Sequence, residues 1–216
     1  MVSKLLQVGM IVGVMLVTDG AAARPNSRLN MPAHWTWPPS AAMKRSGRRC
    51  LKQLRKLGVH YRRAPRLRKV ATPVRVPSMN FRGLKLVPIW RKPPFTMDCQ
   101  LALAFARAAP VLRKLGVRAL RFSTIHRYRT VRRNGHRLRG VLSRHALGLA
   151  VDVNELVDAR GLKHIVKRDY RRGDRLLHAV ERSVLRLPYF RALITPRKDP
   201  RSHSDHYHFE AAMRLR

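Results

Sequence analysis

Residues 143–156 read SRHALGLAVDVNEL, and the fold turns on how this run is divided. Its second half, Gly148–Leu156, is apolar and β-branched enough to form a strand. A regular strand carried back to His145 would put His145 and Asp152, seven positions apart, on opposite faces. Gly148 removes the conflict: a turn there leaves His145 on a loop and Asp152 on the strand that follows. One histidine and one acid then stand together among small and apolar neighbours.

Sixty residues further on, SHSDHYHFE (Ser202–Glu210) gathers three histidines and two acids, in a chain with 47 basic and 11 acidic side chains. On a strand, His206 and His208 share a face while Tyr207 points away, and Asp205 sits where a loop enters that strand. A catalytic zinc ion takes three protein ligands from His, Asp or Glu and keeps a further position for water. His145, Asp152 and one histidine of HYH meet that requirement. Taken singly, each histidine reads as an ordinary surface or core residue, and His34, His60, His126, His136, His164 and His178 are left as such.

Outward from these stretches the pattern is that of a single α+β domain. Leu51, Leu54 and Leu57 recur at helical spacing in a helix from about Ala41 to Leu57, which Gly58 stops. A second helix runs from about Met97 to Leu115, with Asp98 near its start and Pro110 expected to kink or divide it. GDRLLHAVERSVLRL (Gly173–Leu187) is an amphipathic helix with Asp174 as N-cap. Strands are expected at VRALRFST (117–124), GLAVDVNEL (148–156), RALIT (191–195) and HYHFEAAM (206–213), and strands or loops in the proline-rich stretch from Pro65 to Pro94. The expected arrangement is a central, mainly antiparallel sheet that carries the zinc site and is flanked by helices.

The first residues have the form of a secretory signal over 1–23: Lys4, an apolar core from Leu5 to Val17 too short for a bilayer, and the small residues Ala21–Ala23. No stable membrane span is expected once it is removed. Residues 24–45 form a Pro-rich leader, with little fixed structure expected up to Ser40, and residues 46–216 form the domain. Loss of residues 1–23 removes one base and one acid, so the net charge stays at +36. Such a field attracts polyanions of any kind. The arginines are scattered and no nucleic-acid module is patterned, so nucleic acid is not the expected partner. Two cysteines, Cys50 and Cys99, lie outside the histidine-rich stretches, and an isolated pair in an exported chain forms one disulfide.

The paired motifs carry a resemblance. S-x-H-x-x-G-x-A-x-D occurs as Ser143, His145, Gly148, Ala150 and Asp152, and D-H-x-H as Asp205, His206 and His208. This pair resembles the signature of the zinc peptidases that include D-alanyl-D-alanine carboxypeptidases and penicillin-insensitive murein endopeptidases. From Cys50 to Glu210, through CLKQLRKLGVHY, TPVRV and DCQLALAFARAAPVLRKLGV, the chain is most similar to the bacterial extensin-like C-terminal domain family. The resemblance implies His145, Asp152 and His208 as zinc ligands, Asp205 as general base, Arg129 facing the substrate, His206 beside the metal and Ser143 supporting its own loop. It also implies a second cysteine pair in relatives, which is absent here around Val70 or Ala71 and in RYRT. Arg144 stands where relatives often carry Glu or Gln, and Glu210 where they commonly carry Asp.

The function implied is that of an exported, periplasmic or extracellular zinc-dependent peptidase. It would hydrolyse an amide bond in peptidoglycan peptides by metal-activated water, with anionic envelope polymers as further partners. The alternatives are a non-catalytic cell-envelope binding domain that keeps the metal-site fold, and a cationic exported protein whose histidines are incidental.

Overall fold

Ser40 and Asp98 decide where the first two long helices begin. The computed structural model describes residues 30–133 and 136–213, so the signal reading at 1–23 and the leader before Asn30 lie outside the described residues. The Ser40 hydroxyl accepts from Met43 N at the start of α1 (Ala41–Lys56), whose Leu51 and Leu54 are buried. The proline-rich stretch forms short strands: β1 (Arg62–Arg63), β2 (Pro73–Arg75), β3 (Asn80–Phe81), β4 (Leu84–Pro88) and β5 (Met97–Asp98). Asp98 caps α2 (Cys99–Lys114) by accepting from Gln100 N at 2.9 Å. There follow β6 (Val117–Thr124), the antiparallel pair β7 (Thr130–Arg133) and β8 (His136–Leu142), β9 (Ala150–Asp158) and β10 (Lys163–Ile165). The one-turn α3 (Val166–Asp169), α4 (Arg175–Leu185), β11 (Phe190–Ile194) and β12 (Tyr207–Ala211) complete the order, and Asp174 caps α4 through Leu177 N.

Seven strands form the main sheet, in the order β11-β12-β9-β6-β4-β3, with β10 also paired to β9. Every pairing is antiparallel except β4 with β6, which are joined by a crossover that includes α2. Strands β1, β2 and β5 make a small separate sheet. The mixed α+β architecture with helices against a mainly antiparallel sheet agrees with the expectation.

α2 is apolar nearly all round, which is the mark of a buried helix. It packs on β3, β4, β6 and β12 and also meets α1 and α4. Phe105 sits at the centre of this packing, its ring 5.3 to 6.1 Å from those of Phe190, Phe209 and Phe81. The Cys50–Cys99 disulfide forms as expected and ties α1 to the first residue of α2.

Two expectations need correction. Of the kink or division expected at Pro110, the division is absent, because α2 continues to Lys114. The carbonyl that proline leaves without its helical donor is that of Ala106, and Arg82 Nη1 lies 3.5 Å from it. The leader is also not loose over its described residues before the expected helix, 30–40. Asn30 Nδ2 donates to Leu142 O at 2.7 Å, Met31 and Trp35 pack on the core, and residues 41–45 already belong to α1. Two tryptophans and a methionine carry too much apolar surface to stay in water.

Candidate metal centre

Strands β9 and β12 are antiparallel neighbours, and their register sets His208 directly opposite Asp152. Their side chains meet, with His208 Nδ1 2.7 Å from Asp152 Oδ1. His145 arrives from the 3-10 turn Arg144–Leu147, which Ser143 opens by accepting from His145 N and Gly148 closes at φ 67°. A Cβ at position 148 would stand 2.7 Å from Asp98 N, so both the backbone angle and the space require glycine. The turn that the sequence demanded at Gly148 is therefore present. It brings His145 Nε2 within 3.1 Å of Asp152 Oδ1 and 3.2 Å of His208 Nδ1. The register of β6 on β9 shifts beside Asp152, between Arg121 and Thr124. Such bulges commonly re-aim side chains at a site.

The donor set suits a metal ion. His145, Asp152 and His208 are the group among the described residues able to hold one, and all three are buried. Their ligand atoms form a triangle with edges of 2.7 to 3.2 Å, close to the about 3.3 Å edge of a tetrahedron with bonds of about 2.0 Å. The outer nitrogens are held as ligating histidines require. His145 Nδ1 donates to Ile125 O at 2.8 Å, and His208 Nε2 lies 3.2 Å from Glu210 Oε1. These two contacts fix which nitrogen of each ring faces the centre.

Charge follows the same geometry. Burial would raise the Asp152 carboxyl, yet the two histidine rings hold it far below the usual range. Burial would lower His208, but Asp152 and Glu210 raise it to about 9. Glu210, resisting the same burial, is held at about 2 by His208, Arg144 and Arg191, and Arg191 forms an ion pair with it. Arg144 is only 2 % exposed, and burial lowers its guanidinium to about 10 against the pull of Glu210. Its charge thus answers Glu210 behind the centre.

Asp205 is half exposed and its Oδ1 lies 2.6 Å from His206 Nδ1, rather than against the triad. His206 Nε2 is 3.5 Å from Asp152 Oδ1, so the Asp205–His206 pair reaches the centre through the ring. Arg129 is exposed, and its carbonyl accepts from Ser143 N. Arg127 feels the charge of Asp152: burial and Arg129 shift its guanidinium downward and Asp152 shifts it upward. His203 also joins the cluster, its ring 4.9 Å from that of His206 and 5.4 Å from that of His208. Asp199 Oδ2 steadies it at Nδ1, 2.9 Å away. A groove of about 620 Å³ lined by Arg49, Gln53, Gln100, Arg107 and Tyr189 lies on elements that carry none of these histidines.

Glu210, Arg127 and His203 are the residues that sequence reasoning missed. Glu210 follows His208 by two on one strand, so the shared face was legible. His203 follows Asp199 by four in a loop, and nothing in the sequence singles out Arg127 as an arginine on which the charge of Asp152 acts.

A family model described as extensin-like protein C-terminus matches residues 48–216. The chain belongs to the extensin-like C-terminal family. The extensin-like match spans the cluster of His145, Asp152 and His208, Asp205, His206 and the disulfide, and leaves Trp35 and Trp37 outside it. No curated protein and no solved structure matches the chain. Among the described residues of this extensin-like protein, no helix is long and apolar enough to cross a membrane.

Proposed function

We propose that the chain is an exported, zinc-dependent peptidase that hydrolyses an amide bond in the peptide part of peptidoglycan. The observation that carries this reading is the convergence of His145 Nε2, Asp152 Oδ1 and His208 Nδ1, each ring backed by its own acceptor. Three histidine and carboxylate donors leave a coordination position for water. Zinc bound there would supply a Lewis acid and an activated water at neutral pH.

The chain's own groups then divide the remaining work. His206 Nε2, beside the triad, is placed to take the proton of the attacking water and return it to the leaving amine. Asp205 holds the ring by accepting from Nδ1 and stabilises its charged form. This gives the Asp205–His206 pair, rather than Asp205 alone, the general-base role. Arg127, on which the charge of Asp152 acts, is the guanidinium offered to a developing oxyanion or a substrate carboxylate, and the exposed Arg129 follows it by two.

The test is elemental analysis of the purified protein together with hydrolysis of purified muropeptides. About one zinc ion per chain and a metal-dependent new amine terminus are expected. Zinc without cleavage under any metal supplement would leave a binding domain that keeps the metal-site fold. No zinc at all would remove the peptidase reading.

A further inference from the structure

We propose that an aromatic and cationic track beside the metal centre, built from Trp35, Trp37, Arg66, Arg68, Lys69 and Tyr128, binds an acidic glycan. The choice of a glycan over another polyanion rests on the peptidoglycan reading, whereas the track itself does not depend on the metal chemistry.

The chain contains no Asp or Glu between Asp19 and Asp98. The cations of this stretch therefore have no acid nearby in sequence, and here they meet aromatic rings instead. Arg66 stands 5.5 Å from the Trp37 ring, and Lys69 stands 5.6 Å from Trp35 and 5.7 Å from Trp37. Arg68 lies 4.8 Å from the Tyr128 ring. Among the described residues none of these three cations forms an ion pair. A ring face holds a cation without neutralising it, so the charge stays available to a ligand.

Backbone strain marks the same place. His34 and Lys69 adopt left-handed φ angles of 58° and 68° although neither is glycine. Such conformations are strained for a residue with a Cβ and persist where the surroundings demand them. The Lys69 conformation brings its ammonium to nearly the same distance from two rings that are close to parallel, 15° apart in plane.

The track leads to the centre. Thr72 N donates to Asp98 Oδ2, and Asp98 N donates to Gly148 O, so the loop bearing Arg66 to Lys69 is pinned to the turn that carries His145. Tyr128, 46 % exposed, lies between Arg127 and Arg129, and Arg127 N approaches His145 O at 3.4 Å. A glycan supplies what this row lacks: apolar ring faces that stack on Trp and Tyr, and carboxylates that pair with guanidinium groups.

The probe is a hyaluronate decasaccharide, titrated by calorimetry and tryptophan fluorescence at physiological salt. Arg68→Gln combined with Lys69→Gly should weaken binding about tenfold or more. Glycine at 69 relieves the left-handed strain, so the fold is retained, and Trp37→Leu replaces this variant if thermal melting shows otherwise. Arg48→Gln with Arg55→Gln removes the same charge from the exposed face of α1 and should change binding by less than about twofold. Equal weakening in both pairs, or no saturable binding, would overturn the proposal. Tighter binding of a ten-nucleotide single-stranded DNA through the same residues would overturn it too and make the track a nucleic-acid surface. Zinc content and muropeptide cleavage on the same variants separate the two readings. Cleavage without hyaluronate binding sinks the track alone, and binding without cleavage sinks the peptidase alone.

Discussion

In the proposed centre His145, Asp152 and His208 each offer one atom, which makes single substitutions informative. His145→Ala, Asp152→Ala and His208→Ala should each abolish stoichiometric zinc in elemental analysis. Glu210→Gln keeps the ligand set but weakens the acceptor behind His208 Nε2, and a fall in zinc affinity of about 10-fold to 100-fold is expected. Asp205→Asn should retain zinc and lower kcat by about 100-fold or more, because the His206 ring loses its anionic partner. Asp98 offers a pH test away from the metal. Burial pushes its carboxyl up to about 6, against the backbone N–H groups of Gln100, Thr72 and Ala71. A carboxyl raised in the folded state favours the fold below its unfolded value near 3.8 and gives that up as pH climbs to about 6. The stability advantage of the wild type over Asp98→Asn should therefore shrink between about pH 4 and pH 7, by roughly 2 to 3 kcal/mol. Denaturant titrations at both pH values decide it, and an advantage that grows with pH would contradict the sign.

At the scale of elements, the loop between β11 and β12 is the vulnerable part, since it delivers His203, Asp205 and His206. Its stem is held by Glu181 on α4, which is 1 % exposed and accepts from Tyr170 Oη, Thr195 Oγ1 and Arg197 Nη2 at 2.7 to 3.1 Å. Glu181→Ala would leave two buried hydroxyls without an acceptor, a loss of about 3 kcal/mol with weaker zinc binding. Glu181→Gln should cost less because it keeps one acceptor, and urea denaturation would rank the two. The helices and the site strands were legible because their signals are local: Ser40, Asp98 and Asp174 cap at the expected starts, and Gly148 demands its turn. Elements defined by distant partners were not. β1, β2 and β5 owe their small sheet to pairing across some 10 to 25 positions, which no period-two pattern in three residues announces. The leader reads as loose because Pro and polar residues dominate it, yet its rings find Arg66 and Lys69 only in the folded chain. The same folding sets Arg68 over Tyr128, joining the two loops where the resemblance places the missing cysteine pair of relatives.

At the scale of the whole molecule, one covalent link supplements the hydrophobic core of a chain with a net charge of +36. The disulfide spans 49 positions, and Cys50→Ser with Cys99→Ser should lower the unfolding free energy by about 2 to 4 kcal/mol. Self-repulsion adds to the loss at low ionic strength, so the gap between variant and wild type should narrow as salt is added. Thermal melts at two salt concentrations would show it.

The register of β12 on β9 also sets a timetable. His145 and Asp152 leave the ribosome, and any export channel, well before His208, which follows Asp152 by 56 positions. Until that last strand has docked, His145 and Asp152 make no complete site, and on the proposed reading a chain still being threaded would neither hold an ion nor hydrolyse a substrate. On the proposed reading, catalytic competence would wait on the completion of folding, an assembly-dependent safeguard set by the order of the chain.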